Sequence, residues 1–420
     1  MRSIALKKDG VLAALRYVAV FVISIFVIFF ISVASCFIPH EWIKENTIKS
    51  VEETVSTIED FRKNEKPYQT FEVFGDVRNY AMIFYSNNSD PIRSAVEMNY
   101  DLVCDSIREC ANVMKNNSSD DREQAMISYN RYWQGQSVIL HFLTIFGSFL
   151  GTRTFLTIVF IVFATFVVFK LYKEDKKLAI SFVIGLISIN TAFMTRSLEF
   201  LPVIFVLLLA IILVLKSRKK ENNIGFIFLI MGVLTCYLDF LTCETIVLTV
   251  PLITYVYLET KAGKKVGYKR IIQLALLWGI GYAGAFVAKW IISYLFIGGD
   301  AIQSIFDNTF GHALKLNVFE RFFTPITMSV SKLLPFALFG DFGCVIAIIL
   351  FVISFVITLR KSKEYLPLYV ICLVPLLRFF VISAHSISLN YFTYRALLCA
   401  VIVMVLSFSN LIAKNKRKAK

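Results

Sequence analysis

The sequence predicts an all-α protein, a polytopic membrane helix bundle of about ten spans with an outside cap of amphipathic surface helices. Three observations lead there. Of 420 residues, 57% are hydrophobic, more than a water-soluble domain of ordinary composition carries. Apolar runs near the roughly twenty residues that a helix needs to cross a bilayer recur from end to end. Lysines and arginines gather at every second junction between those runs, the pattern that orients a membrane chain. Forty Phe and eighteen Tyr suit lipid contact and interfacial anchoring. The net charge of +14 is divided among these short clusters without the basic stripe of a nucleic-acid binder, so nucleic acid is not expected as a partner.

The spans fall at roughly 11–36, 153–173, 178–195, 199–216, 224–240, 243–258, 271–297, 338–359, 365–383 and 392–413. The basic clusters are Arg2/Lys7/Lys8, Lys170/Lys173/Lys176/Lys177, Lys216/Arg218/Lys219/Lys220, Lys261/Lys264/Lys265/Lys269/Arg270, Arg360/Lys361/Lys363 and Lys414/Lys416/Arg417/Lys418/Lys420. Alternating with Lys- and Arg-poor junctions, they fit an even number of spans with both termini inside the cytoplasmic membrane. The chain then divides into a first transmembrane helix (1–36), an outside cap (37–152) and helices two to seven (153–297). An outside loop (298–337), helices eight to ten (338–413) and a basic cytoplasmic tail (414–420) follow. The first apolar run is long for a removable signal, although Val33-Ala34-Ser35-Cys36 resembles a lipoprotein cleavage box.

The cap segment differs in kind, holding more than half of the acidic residues and few Gly or Pro. Ile48, Val51, Val55, Ile58 and Phe61 recur at helical spacing, as do Ile92, Val96, Tyr100, Val103, Ile107, Ala111 and Met114. Each set predicts a helix with one apolar stripe, lying on the bilayer or on the ends of the membrane helices. Asp90-Pro91 starts the second helix, with Asp as N-cap and Pro at the first helical position. Asn116-Asn117-Ser118-Ser119-Asp120-Asp121 would end it. Residues 137–150 are apolar but too short to span, which places them along the outer interface. The second outside segment, about 298–337, mixes Gly, Asp, Phe and Pro and reads as a re-entrant or surface loop.

Eight cysteines give no framework. Cys104 and Cys110, six apart, would point to different faces of one helix, beyond disulfide reach. No CxxC occurs and the four histidines are scattered, so neither a metal site nor a cofactor is expected.

Ionisable groups in spans are costly and mark functional hypotheses. Arg196 and Glu199 fall at the turn between spans three and four, and Asp239 and Glu244 at the turn between spans five and six. Lys289 is in the outer half of span seven and Arg378 in that of span nine; Arg395 follows His385 and Asn390 at the start of span ten. The predicted topology sends all of them to one side, under the cap, which reads as a polar cavity opening outward. Bland roles stand beside this one. Lys289, Arg378 and Arg196 could snorkel to the interface, Glu199 and Glu244 could serve helix N-termini, and Asp239 could pair with Lys289. Cations at the outer leaflet oppose the orienting charge bias, and a lipid-linked phosphate would compensate them. A carboxylate above that site could take the proton of a sugar hydroxyl attacking an anomeric carbon.

The layout resembles the GT-C class of membrane glycosyltransferases, more narrowly a bacterial GT-C-like group of unassigned substrate. The segments that carry the resemblance are Asn87-Asn88-Ser89-Asp90, Arg131-Tyr132-Trp133-Gln134-Gly135, Ser197-Leu198-Glu199-Phe200-Leu201-Pro202, Asp239-Phe240-Leu241-Thr242, His385-Ser386 and Phe392-Thr393-Tyr394-Arg395. The resemblance implies Asp90 as catalytic acid/base, with Asp76 in Phe74-Gly75-Asp76 as runner-up. It implies Arg395 and Arg378 on the lipid phosphate with Lys289 assisting, and Arg131, Tyr132 and Trp133 over the cavity mouth. The expected partners are a polyprenyl-phosphate sugar donor, a cell-envelope glycan or glycolipid acceptor, and the lipid bilayer. Two other readings fit the same layout, a carrier or flippase for lipid-linked saccharide and a non-catalytic envelope-assembly subunit. A carrier predicts broken helices, and Trp278-Gly279-Ile280-Gly281-Tyr282-Ala283-Gly284 is the segment to inspect, unless its glycines serve close helix packing.

Overall fold

A computed structural model describes residues 2–62, 74–86, 88–101, 126–218, 221–239, 241–299 and 317–418, nearly all of them helical. The first apolar run forms α1 (Arg2–Cys36), unbroken through Ala34-Ser35-Cys36, with Cys36 buried rather than offered at a cleavage site. The cap follows as α2 (His40–Arg62), α3 (Phe74–Phe84) and α4 (Pro91–Glu97). Next come β1 (Tyr100–Asp101), paired antiparallel with β2 (Met126–Ile127), and then α5 (Gly135–Thr144). The bundle begins with α6 (Phe149–Glu174), α7 (Lys176–Ser188) and the single turn α8 (Thr191–Met194). It continues with α9 (Leu201–Ser217), α10 (Glu221–Leu238), α11 (Thr245–Lys261) and α12 (Tyr268–Ile297). A surface helix, α13 (Val318–Val330), precedes α14 (Asp341–Lys361), α15 (Pro367–Ile371) and α16 (Leu373–Val381). The short helices α17 (Ser383–Ser388) and α18 (Asn390–Thr393) lead into the last one, α19 (Leu398–Lys418).

Among the described residues, six helical segments are long and apolar enough to cross a membrane: Val11–Cys36, Phe149–Glu174, Tyr268–Ile297, Phe342–Lys361, Lys363–Val381 and Asn390–Ser409. The chain is a multi-pass membrane protein on that ground. The predicted spans 178–195, 199–216, 224–240 and 243–258 coincide with α7, α9, α10 and α11, shorter helices of 13, 17, 18 and 17 residues. α9 and α11 are buried along most of their length and make the centre of the apolar core.

The basic junctions meet at one end of the bundle. Arg218, just past α9, reaches Glu174 at the end of α6 (2.5 Å) and Glu259 near the end of α11 (3.4 Å). Lys261 pairs with Asp175 (2.6 Å), whose carboxylate also accepts the amides of Lys177 and Leu178 and so caps α7. The other ends of α9 and α11, and the start of α19, therefore gather at the opposite pole, beside the cap.

Glycine sets one crossing closely. α10 and α12 pack with Gly232 against the Trp278 carbonyl and Gly281 against the Leu229 carbonyl, where an added methyl group would collide with backbone. α12 runs unbroken through this glycine-rich stretch, where Gly281 and Gly284 serve close helix packing and Gly279 faces open space.

Three expectations for the cap are corrected. The helix that begins at Asp90-Pro91 stops at Glu97, because Met98 adopts φ 48° and its amide bonds back to the Ser94 carbonyl. Tyr100 then enters the β1–β2 pair, so it cannot continue a stripe from Val96. The remainder of that stripe, the Asn116–Asp121 loop, and Cys104 and Cys110 lie outside the described residues. The stretch 137–150 does not lie flat on the interface: Ser137, Val138, Leu140, His141 and Thr144 of α5 are buried. Ser137 donates to Asn79 of α3 (2.7 Å) and Asn46 of α2 donates to the Thr144 carbonyl (2.8 Å), drawing α5 into the cap. Of the second outside segment, 317–337 forms the surface helix α13 and the turns after it; Val318, Phe319 and Phe323 stay exposed.

Candidate functional site

Three polar assemblies lie at the cap end. The first joins α3 to the turn before α9. Asp76, in the first turn of α3, accepts the amides of Leu198 (3.1 Å) and Glu199 (2.8 Å) and the hydroxyl of Ser197 (3.4 Å). It is fully buried. Burial and then the charge of Glu199 push its carboxyl well above the usual carboxylate range, against the pull of those three donors. Glu199 pairs with Arg78 (3.5 Å), and its carboxylate rests on Gly75, where no side chain would fit. Arg78 in turn donates to the Tyr129 hydroxyl (3.4 Å).

The second assembly surrounds the α10–α11 turn. Asp239 ends α10 by accepting the amide (3.1 Å) and the hydroxyl of Thr242. Leu241 sits at φ 56°, which turns its carbonyl to Nη2 of Arg378 (2.8 Å). Arg378 also donates from Nε to Glu244 (2.8 Å) and from Nη1 to the Ser386 hydroxyl (2.9 Å). His385 lies beside this cluster, between the candidate spans; burial and then the Arg378 charge lower its pKa to about 4 and keep the imidazole neutral. Oε2 of Glu244, Nδ1 of His385 and the Tyr282 hydroxyl are buried with no hydrogen-bond partner among the described residues. Arg395 enters from the segment before α19. It donates to the carbonyls of Ile189 (3.2 Å) and Tyr391 (3.5 Å) and lies over the rings of Tyr394 (4.9 Å) and Phe200 (5.8 Å). Asn390 is buried close by in sequence, at the start of α18.

The third assembly ties the cap to α12. Nζ of Lys289 is buried and donates to the carbonyls of Val96 (2.8 Å) and Ala95 (3.4 Å), closing the C-terminus of α4. The Asn130–Trp133 segment lies along α12, with Ser293 donating to the Asn130 carbonyl (2.8 Å), Trp290 to that of Arg131 (3.1 Å) and Trp133 to that of Ala285 (2.7 Å). Arg131 and Tyr132 stand over this joint and Trp133 is buried within it.

The expected residues thus separate. Arg378, Asp239 and His385 come together, with Arg395 near enough for Cys243 to feel both its charge and that of Glu244. Asp76 and Glu199 form their own group. Asp90 is exposed and accepts the Arg93 amide (3.1 Å) as the N-cap of α4; nothing joins it to the buried Arg395 among the described residues. Its sequence neighbour Pro91 was the signal for this role. Asp239 does not pair with Lys289, because the α10–α11 turn keeps its carboxylate on Thr242 while α4 takes the ammonium. Arg378 is buried in hydrogen bonds rather than snorkelled. Sequence reasoning missed Arg78, Gly75, Ser197 and Ser386. Ser386 stands eight residues after Arg378, across a break between two short helices, where no helical spacing relates them.

An apolar cavity of about 200 Å³ lies under α13, lined by Ile326, Val330, Leu376, Leu397, Ala400 and Met404, among others. Leu376 precedes Arg378 by two residues and Leu397 follows Arg395 by two, so the lining comes within two residues of each arginine along the chain, although neither arginine lines the cavity. No group of three or more metal-ligating side chains occurs among the described residues. In comparisons with known proteins, no family model, no curated protein and no solved structure matches this chain.

Proposed function

We propose that the protein is a membrane glycosyltransferase that moves a sugar from a polyprenyl-phosphate donor to a cell-envelope glycan or glycolipid. Positive-inside orientation puts the basic pole in the cytoplasm, and with it both termini, so the reaction runs on the outer face of the cytoplasmic membrane. The observation that carries the reading is the apolar cavity, whose lining residues Leu376 and Leu397 each stand two residues along the chain from the buried Arg378 and Arg395. A polyprenyl chain needs a dry groove and its phosphate needs cations at the end of that groove. Arg395 uses two of its three nitrogens on carbonyls, and Nη2 remains for a phosphate oxygen. The unpartnered Oε2 of Glu244 and the neutral His385 offer acceptors for sugar or acceptor hydroxyls.

In this mechanism the acceptor hydroxyl gives its proton to a carboxylate of the Asp239–Glu244 pair as its oxygen bonds to the anomeric carbon. The bond to the phosphate oxygen breaks, and the arginines stabilise the charge that develops on the departing phosphate. The base therefore moves from Asp90 to the buried turn. The test is transfer of tritiated sugar from a polyprenyl phosphate in vesicles containing the purified protein. Ala400→Trp fills the groove and should cut transfer at least about tenfold without unfolding the chain. Asp90→Asn keeps an N-cap and should leave transfer within about twofold. Full activity of Ala400→Trp would remove the donor groove, and loss of activity in Asp90→Asn would return the base role to Asp90.

A further inference from the structure

At the joint between cap and α12, two guanidiniums share one ring: Arg131 lies over Tyr129 at 4.1 Å and Arg78 at 4.9 Å from the centroid. Among the described residues, the carboxylate of Glu199 pairs with Arg78. Arg131 makes no hydrogen bond or ion pair through its guanidinium to any described residue. It is nonetheless held in place. Its carbonyl accepts from Trp290 (3.1 Å), the flanking residues are stitched to Ser293 and Ala285, and Tyr132 supplies a second ring at 5.4 Å. The side chain is half-buried, so water does not fully solvate it.

A guanidinium held over an aromatic face leaves the N–H donors along its edge free to meet two oxygens side by side. Rings hold a cation without neutralising it, and a fixed, partly desolvated cation with its donors unused favours an anion. Lys289, on the same stretch of α12, turns its ammonium to the carbonyls of Val96 and Ala95 and so away from that anion.

We propose that Arg131, braced on Tyr129, is a seat for a phosphate-type anion at the rim of the cap. The ligand is a phosphate monoester or diester, either the headgroup of an anionic lipid or a phosphate carried by a soluble molecule. This seat does not depend on the glycosyl-transfer reading, because the cap's own residues build it and none of them belongs to the Arg378 cluster.

The full chain in phosphatidylcholine nanodiscs would be titrated with inorganic phosphate and with glycerol phosphate. Tryptophan fluorescence and melting temperature are both read, and phosphate-free buffer of equal ionic strength is the blank. The expected result is a saturable response, weakened about tenfold or more in Arg131→Gln and less in Arg131→Lys, which keeps the charge and loses the fork. A parallel set in discs containing phosphatidylglycerol separates the sources. If that lipid raises the melting temperature of the unaltered chain more than that of Arg131→Gln, the headgroup is the ligand. If only the soluble phosphates do so, the ligand comes from solution. Equal responses of the unaltered chain and Arg131→Gln to every probe, or no saturable response to any, would overturn the proposal.

Discussion

Asp76 illustrates how a single buried carboxyl can hold two elements in register. Its two oxygens accept the amides of Leu198 and Glu199. Asp76→Ala would strand both amides in a dry place, at a cost of roughly 2–5 kcal/mol, read as a lower melting temperature in detergent. The pH dependence has a definite sign. The folded-state pKa is raised, so the contribution of Asp76 to stability is complete below the ordinary carboxylate range and is lost as pH rises through the folded value. Melting temperature should therefore fall on going from about pH 5 to about pH 9, and Asp76→Asn should flatten that slope. An unchanged slope in the Asn variant would place the titration elsewhere. Arg378 and Glu244 differ from Asp76 in being a buried ion pair, whose removal on one side alone leaves a charge without compensation.

Among the elements, the α10–α12 crossing depends on backbone-to-backbone approach. A methyl group on Gly232 meets the Trp278 carbonyl, a rigid neighbour, whereas one on Gly279 meets open space on the same helix. Gly232→Ala should destabilise by roughly 1–3 kcal/mol, while Gly279→Ala should be neutral or stabilising by up to about 1 kcal/mol. Paired thermal melts check this, and equal effects at both positions would mean that the crossing is looser than described. Since α12 also carries Lys289, Trp290 and Ser293, this crossing fixes the surface onto which α4 and the Asn130–Trp133 segment dock. The cap and the bundle are thus aligned through α12 as well as through the Asp76 joint. α13 works differently, as an amphipathic roof whose inner side chains Ile326 and Val330 line the cavity while Phe319 and Phe323 remain outward.

On the scale of the whole molecule, charge and polarity are separated between two poles. The Arg218–Glu174–Glu259 and Lys261–Asp175 contacts gather three basic junctions at one pole, and the cap, the Asp76 group and the Arg378 cluster occupy the other. Positive-inside orientation predicts which pole faces the cytoplasm. In a chain with Cys104 and Cys110 replaced by Ser, Asp90→Cys should react with an impermeant maleimide in intact cells. Lys264→Cys, exposed at the basic pole, should react only after the membrane is opened. The reverse labelling pattern would invert the topology and move the proposed reaction to the other face.

The sequence by itself determined that the chain is helical and membrane-embedded, where its basic junctions fall, and that Asp90-Pro91 caps a helix. These follow from local rules: an apolar run must match a bilayer, and a capping side chain bonds within its own turn. It also pointed to Arg378, Asp239 and His385 by type, since ions in apolar runs need a reason. Only the tertiary structure decided who pairs with whom. Glu244 was legible as a first-turn acid but meets Arg378 more than a hundred residues away, and Lys289 satisfies α4 instead of Asp239. Burial makes such choices, because an ion or amide removed from water takes whichever partner the packing of distant helices brings within reach.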